Sequence, residues 1–362
     1  MRVLVVNAGS SSLKLSLLGP ANEVLGDREL TVTGPEVDQA LLAPALDALR
    51  GADAVGHRIV HGGERFSAAV RIDPTVESDL RQLIELAPLH QARSLAAFDA
   101  VSSALPGLPG VACFDTAFHR TIPPEATTYA LPAAWRERWP LRRFGFHGLS
   151  HAYVARRAGE LIGAKRGDLR LVSAHLGAGA SLCAISAGRS VDTTMGFTPL
   201  EGLVMATRSG SLDPGMLLWL ADGRLPVSVL ANGLEHEAGL LGLAGSADMR
   251  EVLRSAERGE RRAALALDVY AHRLRGGIAA MAAALGGIDV LAFTGGVGEN
   301  APAVRELAVG GLAFLGIRLD EARNRAVTGD ADVTADGASA RVLVVEARED
   351  LEIARQTRAV LA

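Results

Sequence analysis

Three loops rich in small residues could hold phosphate groups. They span residues 7–12, 175–181 and 295–300, and each follows a short apolar run. Small residues let the backbone approach a ligand closely, and successive N–H groups of a turn can point at one anion. The third loop opens a helix-like segment, whose N-terminus favours anions. One such loop is equally typical of a tight turn, but three in one chain indicate nucleotide binding.

None of these loops carries a common nucleotide-binding signature. The sequence contains no G-x-x-x-x-G-K-[ST] loop, no G-x-G-x-x-G fingerprint and no protein-kinase motif set. Lys14 follows the first loop at a spacing that could aim its ammonium group at the same phosphates. The pattern therefore predicts phosphate binding on a different scaffold.

Two arginines and one aspartate could act on a carboxylate or a phosphate. Arg58 lies in a run rich in Ile and Val, and Arg208 lies in the turn-rich segment TRSGSLDPG. A guanidinium group can hold either anion through two parallel hydrogen bonds, although Arg58 could also serve a structural ion pair. Asp115 ends a predicted strand, where acidic residues of α/β proteins often face the ligand. Capping of a turn is the alternative for Asp115.

Two pairs of histidines have the spacing of zinc ligands on a helix. His57 and His61 are four residues apart, as are His147 and His151. The first pair lies in a strand pattern, where residues four apart are too distant to chelate readily. No H-E-x-x-H motif and no cysteine cluster accompanies either pair, so the pattern argues against zinc.

The elements that must position these residues alternate between strands and helices. Apolar runs predict strands at 3–6, 13–18, 54–60, 110–115, 169–176, 181–186, 289–296 and 341–347. Helical periodicity predicts helices at 77–87, 151–162, 262–284, 298–309 and 349–361. Ser150 is the predicted N-cap of the helix at 151–162. This alternation is typical of an α/β protein.

Two parts of the chain repeat one another weakly. NAGSSSLKLS at the first loop and LGAGASLCAIS at the second both indicate a strand, a small-residue turn and a return strand that opens with Ser-Leu. We interpret this likeness as an internal duplication, which predicts two related domains.

Composition argues against several classes of protein. The chain has 362 residues, of which 49% are hydrophobic and 22% charged, so it can form two globular domains. A net charge of −4 and 4% aromatic residues argue against nucleic-acid and membrane partners. No apolar run predicts a signal peptide or a membrane span. Cys113 and Cys183 are expected to be buried thiols, and the protein to be cytoplasmic.

Sequence blocks along nearly the whole chain resemble the acetate kinase family. They are NAGSSSLK, GHRIVHGGE, LAPLH, FDTAFH, RRFGFHGLSH, HLGAGAS, MGFTPLEGL, TRSGSLDPG, SADMREV, FTGGVGEN and EDLEIA, in family order. The resemblance implies two duplicated α/β domains of the ribonuclease-H-like, actin and sugar-kinase type, with a cleft between them, in a homodimer. The expected N-terminal domain covers 1–116 plus 351–362, and the C-terminal nucleotide-binding domain covers 117–350.

The resemblance also implies a reaction and its residues. The family reversibly transfers the γ-phosphate of ATP to acetate, giving acetyl phosphate and ADP, with Mg²⁺ or Mn²⁺. The implied catalytic residues are Asp115, His147 and Arg208. The implied acid-binding residues are Arg58, Val60, Leu89, Phe146 and Pro199. The implied nucleotide-contacting residues are Lys14, His175, Leu176, Gly177, Ala178, Gly179, Asp248, Met249, Arg250, Gly296, Val297, Gly298, Glu299 and Asn300. The implied metal-associated residues are Asn7 and Glu349.

The chemistry of this reaction suits those residue types. A carboxylate is already ionised at neutral pH, so the nucleophile needs no strong base. The protein must align two anions and neutralise the charge on the transferring group, for which arginines, a histidine and Mg²⁺ are suited. We therefore expect Asp115 to position the hydrated metal rather than to accept a proton.

The chain departs from the family pattern at several positions. The second loop usually reads H-L-G-N-G-S-S, and here Ala178 and Ala180 lack the amide and one hydroxyl. Each lost contact is worth roughly 1.5–3 kcal/mol if it is a charge-assisted hydrogen bond, which predicts weaker ATP binding or another phosphoryl donor. The segment between Lys14 and Arg58 is shorter than usual. Gln91-Ala92 replaces Asn-Pro, and Ser211 replaces Asp.

Other functions remain as alternatives. One methylene in an apolar pocket changes binding by only about 1–3 kcal/mol, so a propionate or butyrate kinase is possible on this sequence. A non-catalytic nucleotide-binding regulator on the same fold is another alternative. Retention of the implied charged residues argues against it, because a binding protein needs few of them. A chaperone-like ATPase would need a peptide-binding domain, for which the chain has no spare segment.

Overall fold

The computed structural model describes residues 1–9, 12–31, 38–163 and 169–362, without the side chain of Leu89. The described strands are β1 (Val3–Ala8), β2 (Ser12–Leu18), β3 (Val24–Thr31), β4 (Ala54–Ile59), β5 (Val70–Arg71), β6 (Gly110–Phe114), β7 (Arg170–Leu176), β8 (Ala180–Ser186), β9 (Arg189–Thr193), β10 (Val290–Thr294), β11 (Ala331–Asp332) and β12 (Arg341–Val344).

Helices connect these strands. They are α1 (Gln39–Asp47), α2 (Pro74–Gln82), α3 (Pro88–Ala104), α4 (Pro124–Thr127), α5 (Ala133–Arg138), α6 (Gly148–Ile162), α7 (Pro214–Ala221), α8 (Val227–Asn232), α9 (Gly239–Ala244), α10 (Met249–Glu257), α11 (Arg261–Ala284), α12 (Gly295–Asn300), α13 (Pro302–Val309), α14 (Glu321–Arg325) and α15 (Glu349–Leu361). Across the described ranges, none of these helices is both long and apolar enough to cross a membrane.

The chain divides into two compact units. Unit 1 consists of Met1–Arg120, Phe146–Tyr153 and Arg348–Ala362, and unit 2 consists of Thr121–Gly145 and Val154–Ala347. Each unit contains one six-stranded sheet. The domain limits expected from the family resemblance stay a prediction.

The two sheets have the same topology. Sheet 1 has the order β3-β2-β1-β4-β6-β5 and sheet 2 has the order β9-β8-β7-β10-β12-β11. In both, an antiparallel three-stranded meander is followed by two parallel strands and an antiparallel edge strand of two residues. This correspondence confirms the α/β fold class and supports the duplication predicted from the first two loops.

Helices cover both faces of sheet 1. Alternate residues of β1 point to opposite faces, so Leu4 and Val6 pack with α1 and α3, whereas Val3 and Val5 pack with α15. Burial on both faces explains why β1 reads as a continuous apolar run rather than an alternating one. In unit 2, the long helix α11 packs against β7, β8 and β9, and α12 packs against β7 and β10.

Several predicted boundaries are wrong. Helix α6 begins at Gly148, so Ser150 lies in its first turn and is buried rather than capping it. The strand predicted to reach residue 296 ends at Thr294, and the helix predicted over 298–309 is two helices, α12 and α13. Pro302 causes the break, because it lacks an N–H group and disfavours helical geometry in the residue before it. The helix predicted at 77–87 starts at Pro74 and ends at Gln82.

The sequence patterns missed β3, β5, β9 and β11. β3 is largely exposed, and β5 and β11 have two residues each, so none of them presents a clear apolar run. The strand predicted at 341–347 ends earlier, at Val344. The remaining predicted strands and the helices at 262–284 and 349–361 are confirmed. Cys113 and Cys183 are buried, as expected.

Candidate active site

Polar side chains of unit 1 gather where three parallel strands end. Asn7 lies in β1, Arg58 in β4, and Asp115 directly follows β6. Since β4 lies between β1 and β6, the carboxyl ends of these strands meet at one edge of the sheet. The chain positions that the sequence singled out separately are therefore neighbours in space.

The centre of this cluster is a largely buried ion pair, in which the Arg58 side chain is 15% exposed and that of Asp115 is 1% exposed. The Arg58 Nη2 atom lies 2.6 Å from Asp115 Oδ2, and Arg58 Nε donates to the same carboxylate at 3.1 Å. A third donor, Nη1, reaches the carbonyl oxygen of Ala8 at 3.0 Å. Burial raises the pKa of the Asp115 carboxyl, and the Arg58 guanidinium opposes that rise. The structural ion pair considered for Arg58 is thus present, and its partner is the predicted catalytic acid.

Two further oxygen-bearing groups adjoin this pair. Asn7 donates from Nδ2 to Glu349 Oε2 at 2.9 Å, and its Oδ1 atom accepts from Arg58 Nη1 at 3.3 Å. Glu349 is the first residue of α15, which packs on β1, β4 and β6. The α15 helix therefore holds Glu349 at the edge where the strands end.

The donor set of this cluster fits a hard divalent cation. Carboxylate and amide oxygens come from Asn7, Asp115 and Glu349, and Mg²⁺ is usually held by one or two carboxylates with water and phosphate completing its shell. Within the described residues, no group of three or more His, Cys, Asp or Glu side chains is arranged to hold a metal. The cluster therefore resembles a partial shell that a phosphate would complete.

His147 sits in a constrained backbone beside this cluster. Its φ of 55° is in the left-handed region, which non-glycine residues adopt rarely. His119 donates from Nε2 to the carbonyl oxygen of Phe146 at 2.9 Å, and the N–H of Gly148 donates to the carbonyl oxygen of Asp115 at 2.9 Å. The residues on both sides of His147 are therefore fixed to the segment that follows β6.

Two of the predicted acid-binding residues of unit 1 are buried. Val60 is 5% exposed and Phe146 is 2% exposed, and the Phe146 ring lies edge-on to His61, with 5.6 Å between ring centroids. Gln91 accepts from the N–H of His61 at 3.0 Å and donates to its carbonyl oxygen at 3.2 Å. Leu89 begins α3 with Pro88, but its side chain lies outside the described residues.

The histidines of β4 and the turn after it are buried and neutral. Burial lowers the pKa of His57 to about 3 and that of His61 to about 4. The His57 ring packs edge-on against Phe98, with 5.1 Å between ring centroids. These contacts are those of core residues.

The second predicted loop is a tight hairpin turn in unit 2. It joins β7 and β8, and the N–H of Gly177 donates to the carbonyl oxygen of Gly179 at 2.9 Å. Ala178 is exposed at the tip, whereas Ala180 is buried as the first residue of β8. The two alanines that depart from the family pattern therefore have different surroundings.

The third predicted loop forms α12 directly after β10. Gly295 has a φ of 78°, and a Cβ atom there would lie 2.8 Å from the carbonyl oxygen of Leu176. The buried side chain of Arg305 donates from Nη1 to the carbonyl oxygens of Gly298 and Glu299, at 2.8 and 2.7 Å. Backbone geometry at this loop is thus fixed from both ends.

Arg208 is the second predicted anion-binding arginine, and it lies in unit 2. Its Nη1 atom donates to the carbonyl oxygen of Pro199 at 3.0 Å. Burial lowers the pKa of Arg208, and the charge of Glu235 opposes this effect. Arg58 contacts a carboxylate at 2.6 Å. Among the described residues, no ion pair of this kind involves Arg208.

The remaining predicted nucleotide-contacting residues lie on the surface or in the core of their units. Lys14 is exposed, 3.9 Å from Glu29 on the adjacent strand. Asp248 caps α10 and pairs with Arg250 at 2.7 Å, and both are exposed, whereas Met249 is buried. Their predicted roles stay predictions.

Sequence reasoning missed several polar residues that support the site. Gln91 attracted notice only as a departure from the family pattern, and His119 only as the end of FDTAFH. Arg143 and Glu201 occur inside the blocks RRFGFHGLSH and MGFTPLEGL. Their position in those blocks could have singled them out. The contact between them joins residues 58 apart in the sequence, so no local pattern predicts it.

Comparisons with known proteins agree on one family over the whole chain. The model described as "Acetokinase family" matches residues 36–355. A curated acetate kinase of Leifsonia xyli is 47% identical, covering 98% of this chain and 97% of that protein. One from Deinococcus radiodurans is 44% identical, covering 100% and 98%.

Solved structures of related kinases superpose closely. The crystal structure of Porphyromonas gingivalis acetate kinase has a TM-score of 0.91 and 37% identity, covering 100% of both chains. A propionate kinase from Francisella tularensis has a TM-score of 0.92 and 33% identity, covering 99% of both chains. The duplicated sheets, the cluster at the strand ends and these matches together show that the chain belongs to the acetokinase family, kinases that transfer phosphate to a carboxylate.

Proposed function

We propose that this protein is an acetate kinase that transfers the γ-phosphate of ATP reversibly to acetate, giving acetyl phosphate and ADP. The observation that carries the proposal is the buried Arg58–Asp115 pair at the ends of three parallel strands, in a chain of this family. A guanidinium group fixed in this way is pre-organised to receive an anion, because little side-chain freedom remains to be lost.

Arginine and histidine side chains are proposed to do most of the chemistry. Acetate is ionised at neutral pH, so the reaction depends on alignment and on neutralising charge rather than on removing a proton. We assign Arg58 and Arg208 to hold the carboxylate and the transferring phosphoryl group. His147, whose backbone is fixed on both sides, is assigned to stabilise the oxygens of that group. Val60, Leu89, Phe146 and Pro199 are assigned to the methyl group of acetate.

Asn7, Asp115 and Glu349 are proposed to hold Mg²⁺. When bound, the ion would neutralise charge on the phosphates of ATP. The hydrogen bond from Asn7 to Glu349 and the fork from Arg58 to Asp115 orient these oxygens before any ligand arrives. Removing a neighbouring group that orients a metal ligand typically lowers metal affinity or activity by about 10- to 100-fold.

The backbone of unit 2 is proposed to hold the nucleotide. The segments assigned to it are 175–179, 248–250 and 296–300, and the family resemblance also assigns Lys14 to nucleotide contact. The hairpin turn and α12 present backbone groups beside glycines, which allow a ligand to approach closely. The exposed Ala178 offers no side-chain donor, so we expect weaker ATP binding than in relatives with Asn there.

We also propose a homodimer, supported by exposed apolar side chains on α7 and α8. Leu218 is 73% exposed, Trp219 57%, Val227 72% and Val229 51%. Because α7 contacts α8, these exposed side chains lie on neighbouring helices, and an exposed apolar patch often marks an interface. Light scattering of the purified protein should give about twice the chain mass, and Leu218→Glu should halve it.

A cytoplasmic location stays a prediction of the sequence.

A propionate kinase is the second candidate, favoured by the close superposition on the Francisella tularensis enzyme. One additional methylene alters binding by about 1–3 kcal/mol, which the fold itself does not determine. The regulator alternative predicts nucleotide binding without any acyl phosphate.

The deciding experiment is acyl phosphate formation from Mg-ATP, trapped with hydroxylamine. Acetate, propionate and butyrate are compared at matched concentrations. Product from acetate well above the other acids supports the proposal, and product mainly from propionate supports the second candidate. No product from any acid, with ATP binding intact, supports the regulator.

A further inference from the structure

Three side chains of unit 2 form a hydrogen-bonded group, here named the Tyr129–Arg143–Glu201 network. The Tyr129 hydroxyl donates to Glu201 Oε2 at 2.5 Å, and Arg143 Nη2 donates to Glu201 Oε1 at 2.8 Å. Both carboxylate oxygens are therefore used. Burial raises the pKa of Tyr129, and its hydrogen bond to Glu201 acts in the same direction, so the hydroxyl stays protonated and remains a donor.

The network holds a stretch of backbone that runs through residues 194–197. Arg143 Nη1 donates to the carbonyl oxygens of Thr194 and Met195, at 3.1 and 3.0 Å. The Tyr129 hydroxyl accepts from the N–H of Phe197 at 3.0 Å. Arg143 and Tyr129 thus make three hydrogen bonds to backbone within four residues, more than a simple surface ion pair makes.

Gly196, in the middle of this stretch, is held by backbone as well. The N–H groups of Phe144 and Gly145 lie 3.0 and 3.3 Å from its carbonyl oxygen. A Cβ atom on Gly196 would overlap the carboxylate of Glu201 and the hydroxyl of Tyr129. The network is therefore built around a position where only glycine fits.

The held stretch leads directly to two residues with proposed roles. Pro199 follows Phe197 by two positions, and its carbonyl oxygen accepts from Arg208 Nη1 at 3.0 Å. A shift of this backbone would move Pro199 and change the anchor of the Arg208 guanidinium together. Displacements of about 1 Å in such positions are enough to reduce rates about 100-fold.

We propose that the Tyr129–Arg143–Glu201 network positions Pro199 and Arg208, and thereby sets how well acetate is bound and distinguished from longer acids. This inference rests on the proposed function. The three residues act through the backbone of residues 194–197, so they are positioning residues rather than catalytic ones.

The first test uses hydroxyl removal at matched sites. Tyr129→Phe should lower kcat/KM for acetate about tenfold, leave KM for ATP within about twofold, and change the acetate-to-propionate ratio at least threefold. Tyr270→Phe is the control, because its buried hydroxyl has no hydrogen-bond partner among the described residues of the same unit. Equal kinetics for the two variants would overturn the proposal.

A second variant tests whether the side chains of the Tyr129–Arg143–Glu201 network act together. Glu201→Gln removes the charge that holds Arg143, and should give a loss similar to that of Tyr129→Phe. The double variant should lose no more than the worse single variant, because both act through the same hydrogen bonds. Losses that multiply in the double variant would contradict a shared positioning role.

Hydrogen exchange gives a readout that is independent of turnover. The amides of residues 195–198 and 200 should exchange at least tenfold faster in Tyr129→Phe than in wild type. Their exchange rates should be unchanged in Tyr270→Phe. Unchanged exchange in both variants would show that the network does not hold this backbone. Wild-type protein that makes no acyl phosphate would contradict the proposed function instead, with the exchange result still deciding whether the network holds the segment.

Discussion

The ends of the parallel strands differ between the two units, although the sheets share one topology. In sheet 1, β1, β4 and β6 end beside Asn7, Arg58 and Asp115. In sheet 2, the equivalent strands are β7, β10 and β12. Strand β7 runs into the glycine-rich turn at 177–179, and β10 runs into α12, which opens with Gly295 and Gly296. Unit 1 has a polar or charged side chain at each of its three strand ends, whereas unit 2 has glycine-rich backbone at two of its strand ends.

On the proposed function, this difference would let a duplicated fold serve two kinds of ligand. Charged side chains give strong, directional contacts to a carboxylate or a metal, but they require buried partners. Backbone groups suit phosphates, for which close approach matters more than side-chain charge. Substitutions in unit 1 should therefore act through electrostatics, and those in unit 2 through backbone geometry.

The largest effect is expected for Arg58→Met. It leaves the Asp115 carboxylate buried without its partner, which should cost about 3–5 kcal/mol of stability and lower turnover at least about 1000-fold. Turnover is measured by the hydroxylamine assay and stability by urea unfolding. Arg50→Met is the control, because its pair with Asp47 is exposed. Similar results for the two variants would remove the distinction drawn for unit 1.

Asp115→Asn should have the next largest effect. The amide keeps the shape but loses the charge, so activity should fall about 100-fold and recover partly as Mg²⁺ is raised. Titration of activity with Mg²⁺ measures this. Asp99→Asn, at an exposed pair with Arg81, should change little. A loss that is independent of Mg²⁺ would argue that Asp115 does not position the metal.

Acid should destabilise unit 1 through its buried histidines. The folded-state pKa of His57, lowered by burial to about 3, lies below the unfolded value, so its contribution is present above pH 6.5 and is lost as pH falls towards 3. Stability should fall about 1.4 kcal/mol per pH unit per such histidine. Urea unfolding from pH 7 to 5 should show a shallower loss in His57→Phe. If the pH dependence of the free energy of unfolding is unchanged in His57→Phe, the prediction is wrong. It is also wrong if the exposed control His272→Gln changes that dependence equally.

Gly295→Ala tests the role of backbone geometry in unit 2. A side chain there is strained by the positive φ and crowds the backbone of Leu176. The strain should lower stability by about 1–3 kcal/mol. We expect KM for ATP to rise about tenfold while KM for acetate stays unchanged. Gly276→Ala in α11, where a Cβ meets open space, serves as the control. A selective change in the acetate KM would reverse the assignment of the two units.

The smallest expected effect is a gain in apparent affinity for ATP. Ala178→Asn adds an amide at the exposed tip of the second hairpin and should lower KM for ATP about threefold, less than the full value of one charged hydrogen bond. Ala180→Ser makes a useful contrast, since it buries a hydroxyl and should reduce stability. A KM for ATP that does not fall in Ala178→Asn would exclude a side-chain contact at this tip.

The sequence alone determined the fold class, the duplication and the family. Apolar runs identified β1, β4, β7 and β10 because strands buried on both faces have few polar interruptions. Exposed or two-residue strands such as β3 and β5 escaped, since their pattern is set by pairing rather than by burial. Family motifs identified the candidate residues without showing which of them touch.

Only the tertiary structure decided the partners. Arg58 and Asp115 are 57 residues apart, and Asn7 and Glu349 are 342 apart, so no local pattern links them. The parallel pairing of β1, β4 and β6, with α15 packed on them, is what brings these four side chains together. The left-handed backbone of His147 and the Tyr129–Arg143–Glu201 network depend likewise on contacts between distant segments. Sequence period fixes local elements, whereas the chemistry of the site depends on where those elements end relative to one another.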